Sequence, residues 1–121
     1  MRGNALLGLL AASAFCALAG TASAHAILSR AAPAVGATVH APVTALHLRF
    51  TERVEPTLCR VTLTDAAHHT IAVTNLTAEG DGRILGGQVA SLAPGVYHVV
   101  WHAVSIDTHI TEGDYTFIVT P

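Results

Sequence analysis

Two stretches near the end of the chain, VYHVVWHAV at residues 96–104 and EGDYTFIV at residues 112–119, decide the fold. Apolar residues recur at every second position, a period that is typical of a β-strand with one buried face. In the first stretch, the residues that share the apolar face are Tyr97, Val99 and Trp101. Each stretch therefore predicts a strand, and we expect these three side chains to pack in the core.

The same period of two continues through the middle of the chain and predicts further strands over residues 43–51, 58–64, 70–76 and 83–92. Turn-forming residues separate the strands, and three of these groups are expected to close hairpins: residues 65–69, 80–82 and 94–95. No long segment carries the apolar period of a helix. Six or seven short strands in one domain predict an all-β fold, a two-sheet Greek-key β-sandwich.

The first 24 residues have the features of a secretory signal peptide. Met1-Arg2 supplies a basic start, an apolar run extends from Ala5 to about Leu18, and Ala22-Ser23-Ala24 matches the small-x-small pattern that signal peptidase cleaves after. We therefore expect residues 1–24 to be removed and residues 25–121 to form one exported domain, with His25 as its first residue.

The composition excludes several classes of partner. The chain has six basic residues, all of them arginine, against eight acidic ones, and no basic run. This composition argues against nucleic acid and anionic membrane surfaces as partners. No later segment approaches the roughly 18–20 apolar residues of a membrane helix, so we expect no direct membrane insertion. We expect the domain to be a monomer.

A candidate metal site combines the new N-terminus with a motif far downstream. Cleavage would give His25 a free α-amine beside its imidazole, and the two nitrogens can chelate one ion. Asp107 and His109 are two residues apart, so in extended chain they point the same way, roughly 6.5–7 Å apart at the backbone. Three nitrogens and one oxygen suit Cu(II) better than other common biological metals. We predict that His25, Asp107 and His109 bind one Cu(II) per chain.

The remaining candidate ligands are expected to have ordinary roles. Most other histidines are expected on the surface: His40, His47, His68, His69 and His98. His102 is near enough in sequence to the site to be a candidate for orienting a ligand rather than binding the ion. Cys59 is the only cysteine after residue 24 and alternates with Val61 and Leu63, so we expect it to be buried as a small apolar residue. No arrangement of residues resembles a catalytic triad or a phosphate-binding loop.

Five motifs together resemble the CopC/PcoC-type copper-resistance proteins of the bacterial periplasm, over essentially the whole mature chain. They are His25-Ala26-x-Leu28 with Pro33-Ala34-x-Gly36-Ala37, Leu48-x-Phe50-Thr51-Glu52-x-Val54, Leu92-Ala93-Pro94-Gly95-x-Tyr97-x-Val99-x-Trp101, Ser105-x-Asp107-x-His109, and Gly113-x-Tyr115-x-Phe117-x-Val119. The resemblance implies an Ig-like or cupredoxin-like sandwich that binds one Cu(II) through His25, His109 and Asp107. It also implies that Glu52 lies near the site and orients a ligand or a bound water.

The chain departs from the family pattern at two points. Thr108 stands where the family usually has glycine, and a β-branched residue disfavours positive φ. The loop therefore either does not need positive φ or has a shifted geometry. Some members carry a methionine-rich loop for Cu(I), whereas Met1 is the only methionine here. A thioether Cu(I) site is therefore excluded in the mature chain.

The sequence is compatible with three classes of function. The preferred one is a non-catalytic copper carrier or buffer, which could deliver copper to an inner-membrane copper permease. A redox enzyme of the histidine-brace type, such as a polysaccharide monooxygenase, is the first alternative. Such an enzyme usually needs an aromatic substrate face, which this chain offers few residues to build. The second alternative is a metal-free exported sandwich that acts in adhesion or assembly.

Overall fold

The computed structural model describes residues 27–121, and the predicted signal peptide and His25 lie outside this range. Within it, nine strands form two sheets: β1 (Leu28–Ala32), β2 (Thr38–His40), β3 (Ala45–Phe50), β4 (Arg60–Asp65), β5 (Thr70–Ile71), β6 (Thr74–Glu79), β7 (Ile84–Gln88), β8 (Gly95–Val104) and β9 (Ile110–Thr120). The four-stranded sheet has the order β1-β3-β7-β6, and the five-stranded sheet has the order β2-β9-β8-β4-β5. The predicted all-β sandwich is confirmed. No helix among residues 27–121 has the length and apolar character needed to cross a membrane.

The core lies between the two sheets and is built from the alternating faces that the sequence predicts. On β3, Leu46, Leu48 and Phe50 are almost completely buried. Phe50 packs edge-on against Trp101 of β8, with 6.3 Å between the ring centroids. Opposite Trp101 on β9 is Gly113, where a Cβ would lie 2.3 Å from the indole ring, so only glycine leaves room for it. The expected burial of the β8 aromatic face is thus confirmed.

Two predictions about the strands are wrong in detail, and two strands were not predicted. Residues 70–76 do not form one strand, because the chain leaves the five-stranded sheet after β5 and joins the four-stranded sheet as β6. Residues 94–95 do not close a hairpin, because β7 and β8 belong to different sheets. The sequence pattern also missed β1 and β2, which are short and separated by turn residues. The hairpin turns at residues 65–69 and 80–82 are confirmed.

Three segments of the chain meet at one end of the sandwich. The loop after β3 is bonded to the turn between β8 and β9 through a bridge of Val54 with Ser105, and the Ile106 N–H donates to the Arg53 carbonyl at 3.0 Å. At the start of the described chain, Ile27 donates its N–H to the Thr51 hydroxyl at 2.9 Å. The Thr51 N–H in turn donates to the Ile27 carbonyl at 3.0 Å. These bonds define the end at which the candidate site lies.

Candidate metal centre

Glu52, Asp107 and His109 converge at this end of the sandwich. One potential ligand atom from each residue lies within 4.8 Å of the other two, which is close enough for all three to hold one ion. Within residues 27–121, no other group of three such side chains is brought together in this way. The structure therefore places two of the sequence-predicted ligands together and adds Glu52 to them.

The turn between β8 and β9 presents Asp107 and His109 and is closed by three hydrogen bonds to Ser105. The Ser105 N–H donates to the His109 carbonyl at 2.9 Å, and the Thr108 N–H donates to the Ser105 carbonyl at 2.9 Å. The His109 N–H donates to the Ser105 hydroxyl oxygen at 3.2 Å. Ser105 is only 1% exposed and is the one fully buried polar residue of the described chain.

Thr108 adopts the left-handed conformation, with φ of 67°. The loop therefore keeps the positive φ for which glycine is suited, although it carries a β-branched residue at this position. The chain here is also a turn rather than an extended strand. Asp107 and His109 thus reach a common point because the backbone reverses, and the expectation of an extended segment was wrong.

Glu52 has one carboxylate oxygen that the hydrogen bonds of the described chain leave unsatisfied. Its Oε2 atom is buried and accepts no hydrogen bond from residues 27–121, although it lies 3.6 Å from His109 Nδ1. A buried carboxylate oxygen without a donor is costly. A cation held between Glu52, Asp107 and His109 would remove that cost, so this donor set fits a metal ion.

The other histidines that the sequence placed on the surface do not join this cluster. His98 Nε2 pairs with Asp114 at 2.7 Å, and His102 Nδ1 pairs with Glu112 at 2.7 Å. His102, the candidate for orienting a ligand, is therefore engaged on the outer face of the five-stranded sheet. His47, His40, His68 and His69 also lie outside the three-residue group.

Cys59 is buried and does not act as a ligand in this arrangement. Its thiol donates to the Glu55 carbonyl at 3.2 Å, and its sulfur accepts the Val104 N–H at 3.3 Å. Burial raises the pKa of the Cys59 thiol, which favours the protonated form over the thiolate that binds metals. The prediction of a buried, small apolar role is confirmed, with the addition of two hydrogen bonds.

The spacing of Asp107 and His109 predicts them as ligands, whereas the sequence carries no such signal for Glu52. A single glutamate after a strand is by default a solvated loop residue, and only the family resemblance indicated a place near the site. The pairing of the 51–55 loop with Ser105 brings Glu52 to the turn, and this long-range contact leaves no local pattern in the sequence.

Comparisons with known proteins agree with this architecture. The family model of the CopC domain matches residues 28–120. Protein YobA of Escherichia coli K12 is 36% identical over 98 residues, which cover 79% of this chain and 79% of the relative. The structure of CopC from Methylosinus trichosporium OB3b is 31% identical, with a TM-score of 0.72 over 80% of this chain and 95% of that one. PcoC from Escherichia coli, described as a methionine-rich copper resistance protein, is 28% identical, with a TM-score of 0.71 over 80% of this chain and all of the other.

Proposed function

The chain belongs to the CopC family, and we propose that it is an exported Cu(II)-binding protein that acts as a carrier or buffer in copper homeostasis or resistance. In this proposal residues 1–24 are removed on export to the periplasm. The observation that carries the proposal is the convergence of Glu52, Asp107 and His109 within 4.8 Å of one another.

We assign one Cu(II) per chain to this point. His25 supplies its α-amine and imidazole, His109 supplies a second imidazole, and Asp107 supplies a carboxylate oxygen. Glu52 lies in the same cluster, so it either contacts the ion or holds a ligand or a water beside it. Two carboxylates and two imidazoles offer the mixed nitrogen and oxygen donors that Cu(II) prefers.

The hydrogen bonds of Ile27 support a role for His25. Ile27 is bonded in both directions to Thr51, which directly precedes Glu52. His25 is two residues before Ile27, and two residues of chain span at most about 7 Å. A mature chain that begins at His25 is therefore long enough to bring the α-amine and the imidazole of His25 to the cluster.

The available donors favour Cu(II) over Cu(I). The described chain contains no methionine, and its one thiol, Cys59, is buried and has a raised pKa. Soft sulfur ligands are what Cu(I) selects. This chain therefore differs in its donors from PcoC, the relative described as methionine rich. We expect the metal to be held weakly after reduction.

The burial of the aromatic residues favours a carrier over a histidine-brace enzyme. All five aromatic side chains in the described chain lie in the core, so none of them forms an exposed platform for a polysaccharide: Phe50, Tyr97, Trp101, Tyr115 and Phe117. The convergent ligands favour metal binding over a metal-free adhesion module. We infer that the bound copper is passed to a membrane partner such as an inner-membrane copper permease.

The test compares two forms of the protein, one beginning at His25 and one that retains Ala24. Retaining Ala24 converts the α-amine of His25 into an amide and should weaken Cu(II) binding by orders of magnitude without changing the fold. Cu(II) titration with electron paramagnetic resonance measures the binding, and circular dichroism checks the fold. Equal affinity of the two forms would contradict the role of His25, and no Cu(II) binding by either form would contradict the proposed function.

A further inference from the structure

The turn that carries Asp107 and His109 holds an unfavourable backbone conformation between them. Thr108 has a φ of 67°, where the Cβ of an L-residue comes too close to its carbonyl oxygen. A β-branched side chain makes this conformation still less favourable. Among residues 27–121, the Thr108 hydroxyl bonds only to the carbonyl of the preceding residue, Asp107, and so does not tie the turn to other described segments.

The groups that hold this conformation belong to Ser105. Its backbone exchanges hydrogen bonds with Thr108 and His109, and its side-chain oxygen accepts the His109 N–H at 3.2 Å. Ser105 itself is fixed by its bridge to Val54 and by nearly complete burial. The buried Ser105 hydroxyl oxygen is therefore a rigid acceptor for the backbone N–H of His109, a candidate ligand.

We propose that Ser105 is a positioning residue for the metal site: its buried hydroxyl holds the His109 backbone against the strain at Thr108, so that His109 and Asp107 are preorganised for one ion. This inference rests on the proposed function. Its consequence is a coupling between two residues that do not bind the metal. Without the hydroxyl, Thr108 can relax toward negative φ and the two ligands move apart. With glycine at position 108, the strain is absent and the hydroxyl matters less.

The test is a double-mutant cycle measured by Cu(II) titration of the form that begins at His25. Ser105→Ala should weaken Cu(II) binding by about 10–100-fold, as is typical for loss of a group that orients a ligand. In the Thr108→Gly background, Ser105→Ala should weaken Cu(II) binding by no more than about threefold relative to Thr108→Gly alone, because glycine has already removed the strain. Thr108→Ala keeps the Cβ and loses the hydroxyl, so Ser105→Ala should remain as damaging in that background.

A control variant and an amide-exchange measurement complete the test. Ser91→Ala, at an exposed loop serine, should leave the affinity unchanged and serves as the matched control. If Ser105→Ala does not fold, amide exchange on the metal-free wild-type protein replaces it, with slow exchange expected at the His109 N–H.

Three results would overturn the inference while leaving the proposed function intact. The first is wild-type affinity in Ser105→Ala, and the second is equal losses with threonine and glycine at position 108. The third is unprotected exchange at His109. Failure of the wild-type protein itself to bind Cu(II) would instead contradict the proposed function.

Discussion

On the outer face of the five-stranded sheet, His98 and His102 each meet one carboxylate of β9, Asp114 and Glu112, at 2.7 Å. At the end of the sandwich, His109 meets two carboxylates, because the turn and the 51–55 loop fold toward each other. Strands project their side chains in parallel and pair them singly across the ladder. A histidine beside a carboxylate thus recurs on this sheet, whereas within residues 27–121 a third group joins such a pair only at the turn.

The largest expected difference between the two regions is in Cu(II) affinity when a carboxylate loses its charge. Asp107→Asn and Glu52→Gln should each weaken Cu(II) binding by about 10–100-fold, because the ion loses a charged oxygen at close range. Glu112→Gln makes the same chemical change beside His102 and should leave the affinity within about twofold of wild type, since exposed ion pairs contribute little. Isothermal titration measures all three variants. An equal loss of Cu(II) affinity in Glu112→Gln would contradict the assignment of the metal site to the turn rather than to the strands.

A second prediction separates the stability of the strands from the chemistry of the turn. Gly113→Ala places a Cβ 2.3 Å from a ring atom of Trp101, and this buried indole cannot move aside easily. We expect a loss of about 1–3 kcal/mol in the free energy of unfolding. Cu(II) affinity of the folded protein should be unchanged. Urea unfolding followed by the fluorescence of Trp101, the only tryptophan, provides the measurement.

Gly86→Ala is the control for that prediction. Its Cβ would lie 1.8 Å from Glu79 Oε1, which is the far end of a partly exposed, flexible side chain that can rotate away. The loss of stability should therefore be clearly smaller than in Gly113→Ala. A larger loss in Gly86→Ala would contradict the account of the packing around Trp101.

The smallest expected effect concerns the hydroxyl group of Tyr115, a polar group buried in the core. The Tyr115 hydroxyl is buried without a hydrogen-bond partner in the described chain, and burial raises the pKa of Tyr115 to about 12. The neutral phenol is favoured in the folded state, so this contribution to stability is complete below the ordinary pKa of 10.0 and is lost as pH rises toward 12. Tyr115→Phe should flatten that alkaline loss.

At neutral pH, Tyr115→Phe should leave stability unchanged or raise it by up to about 1 kcal/mol, because no hydrogen bond is lost. Tyr97→Phe is the matched control, since the Tyr97 hydroxyl donates to the Ala93 carbonyl at 2.6 Å and its loss should cost about 1 kcal/mol. Neither variant should change Cu(II) affinity. A loss of binding in Tyr115→Phe would mean that the core and the metal site are not separable.

The same contrast explains how much could be predicted from the sequence. Strands such as β3 and β8 follow the local alternation of apolar residues, and the burial of Tyr97, Val99 and Trp101 on β8 was predicted residue by residue. The break between β5 and β6 was not predicted, because the apolar alternation continues through the point at which the chain passes from one sheet to the other. Two of the candidate ligands, Asp107 and His109, follow from their spacing, although the turn that joins them does not. Glu52 reaches the cluster only through tertiary contacts, which no local pattern encodes.

Copper binding at the turn, and not on the sheet, can be tested with a matched pair of histidine variants. His109→Ala removes a ligand of the proposed site, whereas His102→Ala removes a histidine of the same type that also faces a glutamate. Cu(II) titration with electron paramagnetic resonance should show strongly weakened binding and an altered spectrum for His109→Ala, and wild-type affinity and spectrum for His102→Ala. Equal behaviour of the two variants, or a greater loss in His102→Ala, would contradict the account.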